Sequence, residues 1–211
     1  MRETLRIRAG APGLESLLAR AVGLDASALA RLRSTPDGHH VDVFVTTPFE
    51  VVAARRVEGQ ASREGAVVGA HDLYGAVAAR SSARDIGVAR DPSWPGALPP
   101  AEGFRLLDEV PVSVVRGLAD QGQALARQFS GPLGPPASLL NQPVLEVSGE
   151  EGSSVAVPMR MIFTCTALGL IPGFATPVEV PRHLRVSALG RWVRVDAPFG
   201  TVYHSTRLSL F

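Results

Sequence analysis

The chain has 211 residues, 45% of them hydrophobic, which is enough to bury a core as one large domain or two small ones. Its basic residues nearly cancel the acidic ones at a formal net charge of +1, so no global field favours nucleic acid or an anionic membrane. All of the basic charge is arginine; the absence of lysine excludes a G-x-x-x-x-G-K-[ST] phosphate loop, a Schiff-base amine, a pyridoxal-phosphate anchor and a Ser-Lys pair. A GC-rich genome accounts for arginine in place of lysine without any functional reason.

In chain order, Leu5 to Arg8 alternates apolar and charged side chains as a strand with one wet face does. Leu14, Leu17, Leu18, Ala21 and Val22 then form one stripe of a helix that Gly23 ends, and Asp25 is placed to cap a shorter helix carrying Leu29 and Leu32. Val41, Val43 and Val45 alternate with Asp42, Phe44 and Thr46, and with Pro48 in the turn and Val51 to Val57 returning they predict a β-hairpin. Ala66 to Val68 reads as a short strand, and Leu73, Ala76, Val77 and Arg80 as a helix ending near Ser82. Gly87 to Gly103 holds too much Pro and Gly for regular structure and is the expected boundary between halves.

Beyond it, Phe104 to Val110 reads as a strand closed by Pro111, and Val114, Leu118, Leu125 and Phe129 as the packed face of the next helix. Gly131 to Pro136 is a second breaker before a short strand, Val144 to Val147. Met159 to Leu168, with Pro158 in its first turn, is apolar almost all round and predicts a covered helix. The uncharged run Met161 to Val178 approaches the length of a membrane span, but Gly169, Pro172, Gly173 and Pro177 interrupt it. Leu184 to Ala188, Trp192 to Asp196 and Thr201 to Leu208 close the chain as three strands.

The fold class expected is α+β: two small, closely packed halves with antiparallel hairpins and helices, at residues 1–90 and 104–211, joined by a Pro/Gly-rich connector at 91–103. Val43-x-Val45-x-x-Pro48-Phe49-x-x-Val52 matches Val193-x-Val195-x-x-Pro198-Phe199-x-x-Val202 at every spacing. Two readings stand: a duplicated βαββ-like unit, or a hairpin recipe recurring in a chain rich in Val and Pro.

Chemistry is sparse. Arg90, Asp91 and Trp94 put a donor fork, a carboxylate and a flat apolar surface in one connector loop, the preferred site for a protein or small-molecule partner. The structural alternative is that Trp94 pins the loop to the core. His40 and Asp42 share one strand face, and His71 precedes Asp72 at a helix start, so an acid-base or metal site needs these segments to converge. Cys165 sits among Ile162, Phe163 and Leu168, a setting for a core thiol. The acidic pairs Asp108-Glu109 and Glu150-Glu151 point apart or lie in turns, there is no Gly-x-Ser-x-Gly elbow, and Gly131-Pro132-Leu133-Gly134 lacks the free N–H groups of a dinucleotide loop. A helix followed by a hairpin with Arg185, Arg191, Arg194 and Arg207 has the architecture of a winged helix, although Met159, Met161, Ile162 and Phe163 stand where base-reading residues belong.

The functional expectation is a cytoplasmic, non-enzymatic binding or regulatory protein without a cofactor or membrane span, self-associating through the apolar helix or a sheet edge. The alternatives are an enzyme built on His40, Asp42 and His71, and a nucleic-acid binder built on the arginine hairpin.

Overall fold

The computed structural model describes residues 2–79, 83–129, 135–149, 152–173 and 175–206. The contacts divide the chain into unit 1, Met1–Pro48 with Val52–Leu98, and unit 2, Phe49–Val51 with Pro99–Phe211. Each is a mixed α+β structure with antiparallel strand pairing, the fold class that the alternating and helical patterns imply.

Unit 1 runs β1 (Arg2–Ala9), α1 (Ala11–Leu24), β2 (Leu29–Ser34), β3 (His40–Thr46), β4 (Val52–Ala61), β5 (Val67–Gly69), α2 (Ala70–Ala78) and β6 (Ala83–Val88). Its strands pair in the order β6-β1-β4-β3-β2-β5. Helix α1 starts at Gly10, whose φ of +88° suits a residue without Cβ, and Pro12 needs no N–H there. Leu14, Leu17, Leu18 and Ala21 are buried, and α1 packs on β3, β4 and α2. Each leucine removed from water stabilises by about 2 kcal/mol before entropy is counted.

Three expectations fail locally in unit 1. Leu29 and Leu32 belong to strand β2, not to a helix: Ala30 and Leu32 face inward while Arg31 and Arg33 alternate with them, a period of two. Asp25, read as a helix cap, instead takes the Ser27 N–H at 2.8 Å and hydroxyl at 2.6 Å, closing a turn after α1 has run past Gly23. The connector is also more regular than its composition suggests: β6 includes Gly87 and Val88, and Asp91–Ser93 forms a 3₁₀ turn. The second helix stops at Ala78, and Arg80 and Ser82 lie outside the described residues.

Unit 2 runs β7 (Arg105–Pro111), α3 (Val112–Phe129), α4 (Ala137–Asn141), β8 (Pro143–Ser148), β9 (Ser154–Pro158), α5 (Met159–Ala167), β10 (His183–Leu189), β11 (Trp192–Ala197) and β12 (Gly200–Ser205). Four strands pair as β12-β11-β10-β7, and β8-β9 is a separate hairpin. Every residue of α5 from Met159 to Cys165 is buried, with α3, α4, β9 and β12 packed around it. Among the described residues no helix is long and apolar enough to cross a membrane. Gly131 to Gly134, Glu150-Glu151, Arg207 and Leu208 lie outside the described residues.

Helix α3 is turned the other way from its expected face. Val112, Val115, Ala119 and Gly122 are buried, whereas Val114, Leu125 and Phe129 are exposed. Close packing explains it: a Cβ on Gly122 would stand 2.7 Å from Met159 Cε and 2.8 Å from Phe163 Cε1, so the small side of α3 receives the bulky side of α5.

The element order β-α-β-β-β occurs twice, as β1-α1-β2-β3-β4 and as β9-α5-β10-β11-β12, compatible with a duplicated unit. The matched Val/Pro/Phe spacing does not close the same turn, however. The first hairpin ends at Thr46↔Val52, and the second at Ala197↔Gly200, with only Pro198 and Phe199 between.

Candidate functional site

The connector residues are bonded into unit 1. Asp91 accepts from Arg63 Nη2 at 2.9 and 2.7 Å and from the Val67 N–H at 2.9 Å, and the Arg63 bond first among these holds its carboxyl below the usual range. Trp94 is 8% exposed, with the Arg31 guanidinium 5.8 Å from its ring centroid. Arg90 stays exposed, 3.9 Å from Asp72. This arrangement is that of a pinned loop.

The histidines point to separate neighbourhoods. His40 Nδ1 lies 3.1 Å from Asp37, while Asp42 bonds Arg56 Nε at 2.7 Å and Nη2 at 3.0 Å and stands 3.6 Å from Arg33. Asp37 is held well below the usual carboxylate range, first by the Thr35 hydroxyl and then by the His39 N–H. Exposed His71 is 3.9 Å from Asp72 and lines a cleft of about 430 Å³ with Arg2, Asp85 and Gly87. His40 and Asp42 do not line that cleft, and among the described residues no three His, Cys, Asp or Glu side chains are grouped to hold a metal ion.

On the C-terminal hairpin, Arg194 bonds Asp196 at 2.9 Å and stacks near Phe104 and Tyr203, while Arg185 faces Glu109 at 3.9 Å. Arg191 is exposed in the turn. The hairpin is paired onward through β10 to β7 and the preceding helix is enclosed, so the winged-helix arrangement is not formed: α5 has no face left to enter a groove. Burial pushes the Cys165 thiol up to about 12, the opposite of a nucleophile's environment.

The feature that the sequence concealed lies on α3. Its outward residues Leu125, 41% exposed, and Phe129, 66% exposed, line a recess of about 430 Å³ with Pro136, Ser138, Leu139 and Gln142. None of the six carries a charge. The signal available was the small-residue stripe Val112, Val115, Ala119 and Gly122, which fits a bulky neighbour better than the large-residue stripe does.

A family model described as "Domain of unknown function (DUF8185)" matches residues 99–209, and one described as "Domain of unknown function (DUF8010)" matches residues 1–96. No curated protein matches the chain. Among solved structures, the chain is similar to the DNA polymerase sliding clamp from Pseudomonas aeruginosa, with a TM-score of 0.58 at 15% identity over 100% of this chain and 66% of that one. The clamp from Caulobacter crescentus gives 0.56 at 12% identity over 100% and 67%, and the clamp from Bartonella birtlesii bound to griselimycin gives 0.56 at 13% over 99% and 66%. The chain thus spans 66% of the length of the first of these clamps, and at such identities the likeness is one of fold.

Proposed function

The chain belongs to the DUF8185 family, whose description assigns no chemistry, and we propose from its own geometry that it is a non-enzymatic binding protein that seats apolar side chains of a protein partner between α3 and α4. The carrying observation is the uncharged recess beside Leu125 and Phe129, large apolar groups left in water on a helix whose other face is packed. A volume of about 430 Å³ lies in the range of sites that take a small molecule or a few side chains. A stable protein interface needs roughly 800 Å² per partner, so the recess fits a short segment better than a whole domain face. The clamp-like fold supports a binding role, and the recess contains no arginine for phosphate.

The enzyme reading loses support because Asp42 and Asp91 are bonded to arginines and His40 and His71 lie apart. Self-association is the second reading, now through an edge and not through the enclosed α5. Strand β7 ends the strand order of its sheet and leaves Leu106 exposed. Light scattering on the intact chain and on Leu106→Arg tests it; a wild-type monomer rejects it.

A peptide library displayed on phage tests the main reading. Selection on the wild-type protein should enrich short peptides with Leu, Phe or Met that no longer bind Leu125→Glu/Phe129→Glu. Enriched peptides that bind both proteins equally would reject the recess as the site.

A further inference from the structure

Two carboxylates of unit 1, Glu3 and Asp91, converge on one guanidinium. Arg63 donates through Nε and Nη2 to Glu3 Oε1 at 3.1 and 2.9 Å, and the same Nη2 reaches both oxygens of Asp91 at 2.9 and 2.7 Å. Glu3 is 1% exposed, and its other oxygen accepts the Ser62 hydroxyl at 2.6 Å. Removing Arg63 from Glu3 would strand a buried charge, so that half of the bridge is fixed. Asp91 is half-exposed and water can solvate it once it leaves, so its half is free to break.

Asp91 also accepts the Val67 N–H at 2.9 Å, Arg90 lies 3.9 Å from Asp72, and the backbone bonds of the segment are one to unit 1 and two within itself. The Arg90 N–H donates to Val67 O at 2.7 Å, the Ser93 N–H to Arg90 O at 2.9 Å and the Trp94 N–H to Asp91 O at 3.2 Å. Among the described residues the buried Trp94 Nε1 has no hydrogen-bond partner, which subtracts from what its ring contributes by burial. Opening this segment therefore separates two exposed ion pairs, Arg63–Asp91 and Arg90–Asp72, frees the Val67 N–H from Asp91 and the Val67 carbonyl from Arg90, withdraws one ring and leaves Arg63 neutralised by Glu3.

We propose that Arg63 is a latch: residues Arg90 to Trp94 open and close on unit 1 as a local unit while the sheet stays folded, and the Arg63–Asp91 bond sets the open fraction. The segment lies just ahead of Pro99, where unit 2 resumes, so the latch sets how much connector chain is held on unit 1. This device is independent of the α3 recess.

Hydrogen exchange tests it, comparing the amides of Arg90, Ser93 and Trp94 with those of Val41 to Val45 in β3. Asp91→Asn should speed exchange in the segment about fivefold, the size expected for a half-exposed ion pair, and leave β3 unchanged. Raising salt to about 1 M, where screening acts within roughly 3 Å, should speed the wild-type segment and leave the variant's alone. Segment and β3 amides exchanging at one common rate, or a segment rate unmoved by Asp91→Asn, would overturn the proposal.

Discussion

Gly59→Ala in β4 sets two physical effects against each other. In an ordinary strand, alanine for glycine stabilises by about 0.5–1 kcal/mol because the unfolded chain has less freedom to lose. Gly59 pairs with Ile7 of β1, and a Cβ built there would stand 2.1 Å from the Arg6 carbonyl oxygen and 3.2 Å from Ile7 Cα. Backbone cannot swing aside as a side-chain tip does, so β1 must retreat by roughly an ångström. Two ladder hydrogen bonds weakened at about 1 kcal/mol each, together with about 2 kcal/mol of overpacking, outweigh the entropic gain and leave a net loss of about 3 kcal/mol. Buried Trp94 reports on unit 1 in a Trp192→Phe background. At a slope of about 2 kcal/mol/M, the urea midpoint should fall by about 1.5 M. A midpoint equal to or above that of the parent would refute the close approach of β1 to β4.

Other perturbations read other parts of the molecule. Asp37, Asp85 and Asp91 are all held below the ordinary value of 3.8, chiefly by Thr35, by the Gly87 N–H and by Arg63 respectively, and all three lie in unit 1. A depressed folded-state value gives stability that is present above 3.8 and lost as pH falls further, so acid should lower the Trp94 transition below pH 4; an unchanged midpoint at pH 3 contradicts this. Cys165, with its thiol pushed up to about 12, should resist iodoacetamide at pH 8 until the protein is unfolded, as mass spectrometry of the labelled chain would show. Gly122→Val should destabilise unit 2 by about 2 kcal/mol or more, because Phe163 cannot yield as Met159 can, and thermal melting followed at Trp192 checks it.

What was legible in the sequence depended on how much of each residue's environment is local. Strands β1 and β11 show their alternation of apolar and charged groups because one face of each is more open to water, and α5 is apolar almost all round because it is enclosed. β2 is ambiguous in sequence because Leu29 and Leu32 satisfy a helical spacing as well as a strand, and pairing with β3 and β5 decides between them. The packed face of α3 runs against the size pattern of its sequence: Val114, Leu125 and Phe129 are larger, but the room beside Met159 and Phe163 admits the smaller stripe of Val115, Ala119 and Gly122. Arg90, Asp91 and Trp94 lie in one loop as expected, yet the Arg63 and Val67 groups that bond Asp91 come from 24 to 28 residues away, beyond the reach of any local pattern.

The recess on α3 can be tested by titrating a selected fluorescent peptide into wild-type protein and into Leu125→Glu/Phe129→Glu. Both positions are exposed, so the double variant should melt within about 0.5 kcal/mol of wild type while binding at least tenfold more weakly. Equal affinity for the two proteins would contradict the assignment of this surface as the binding site.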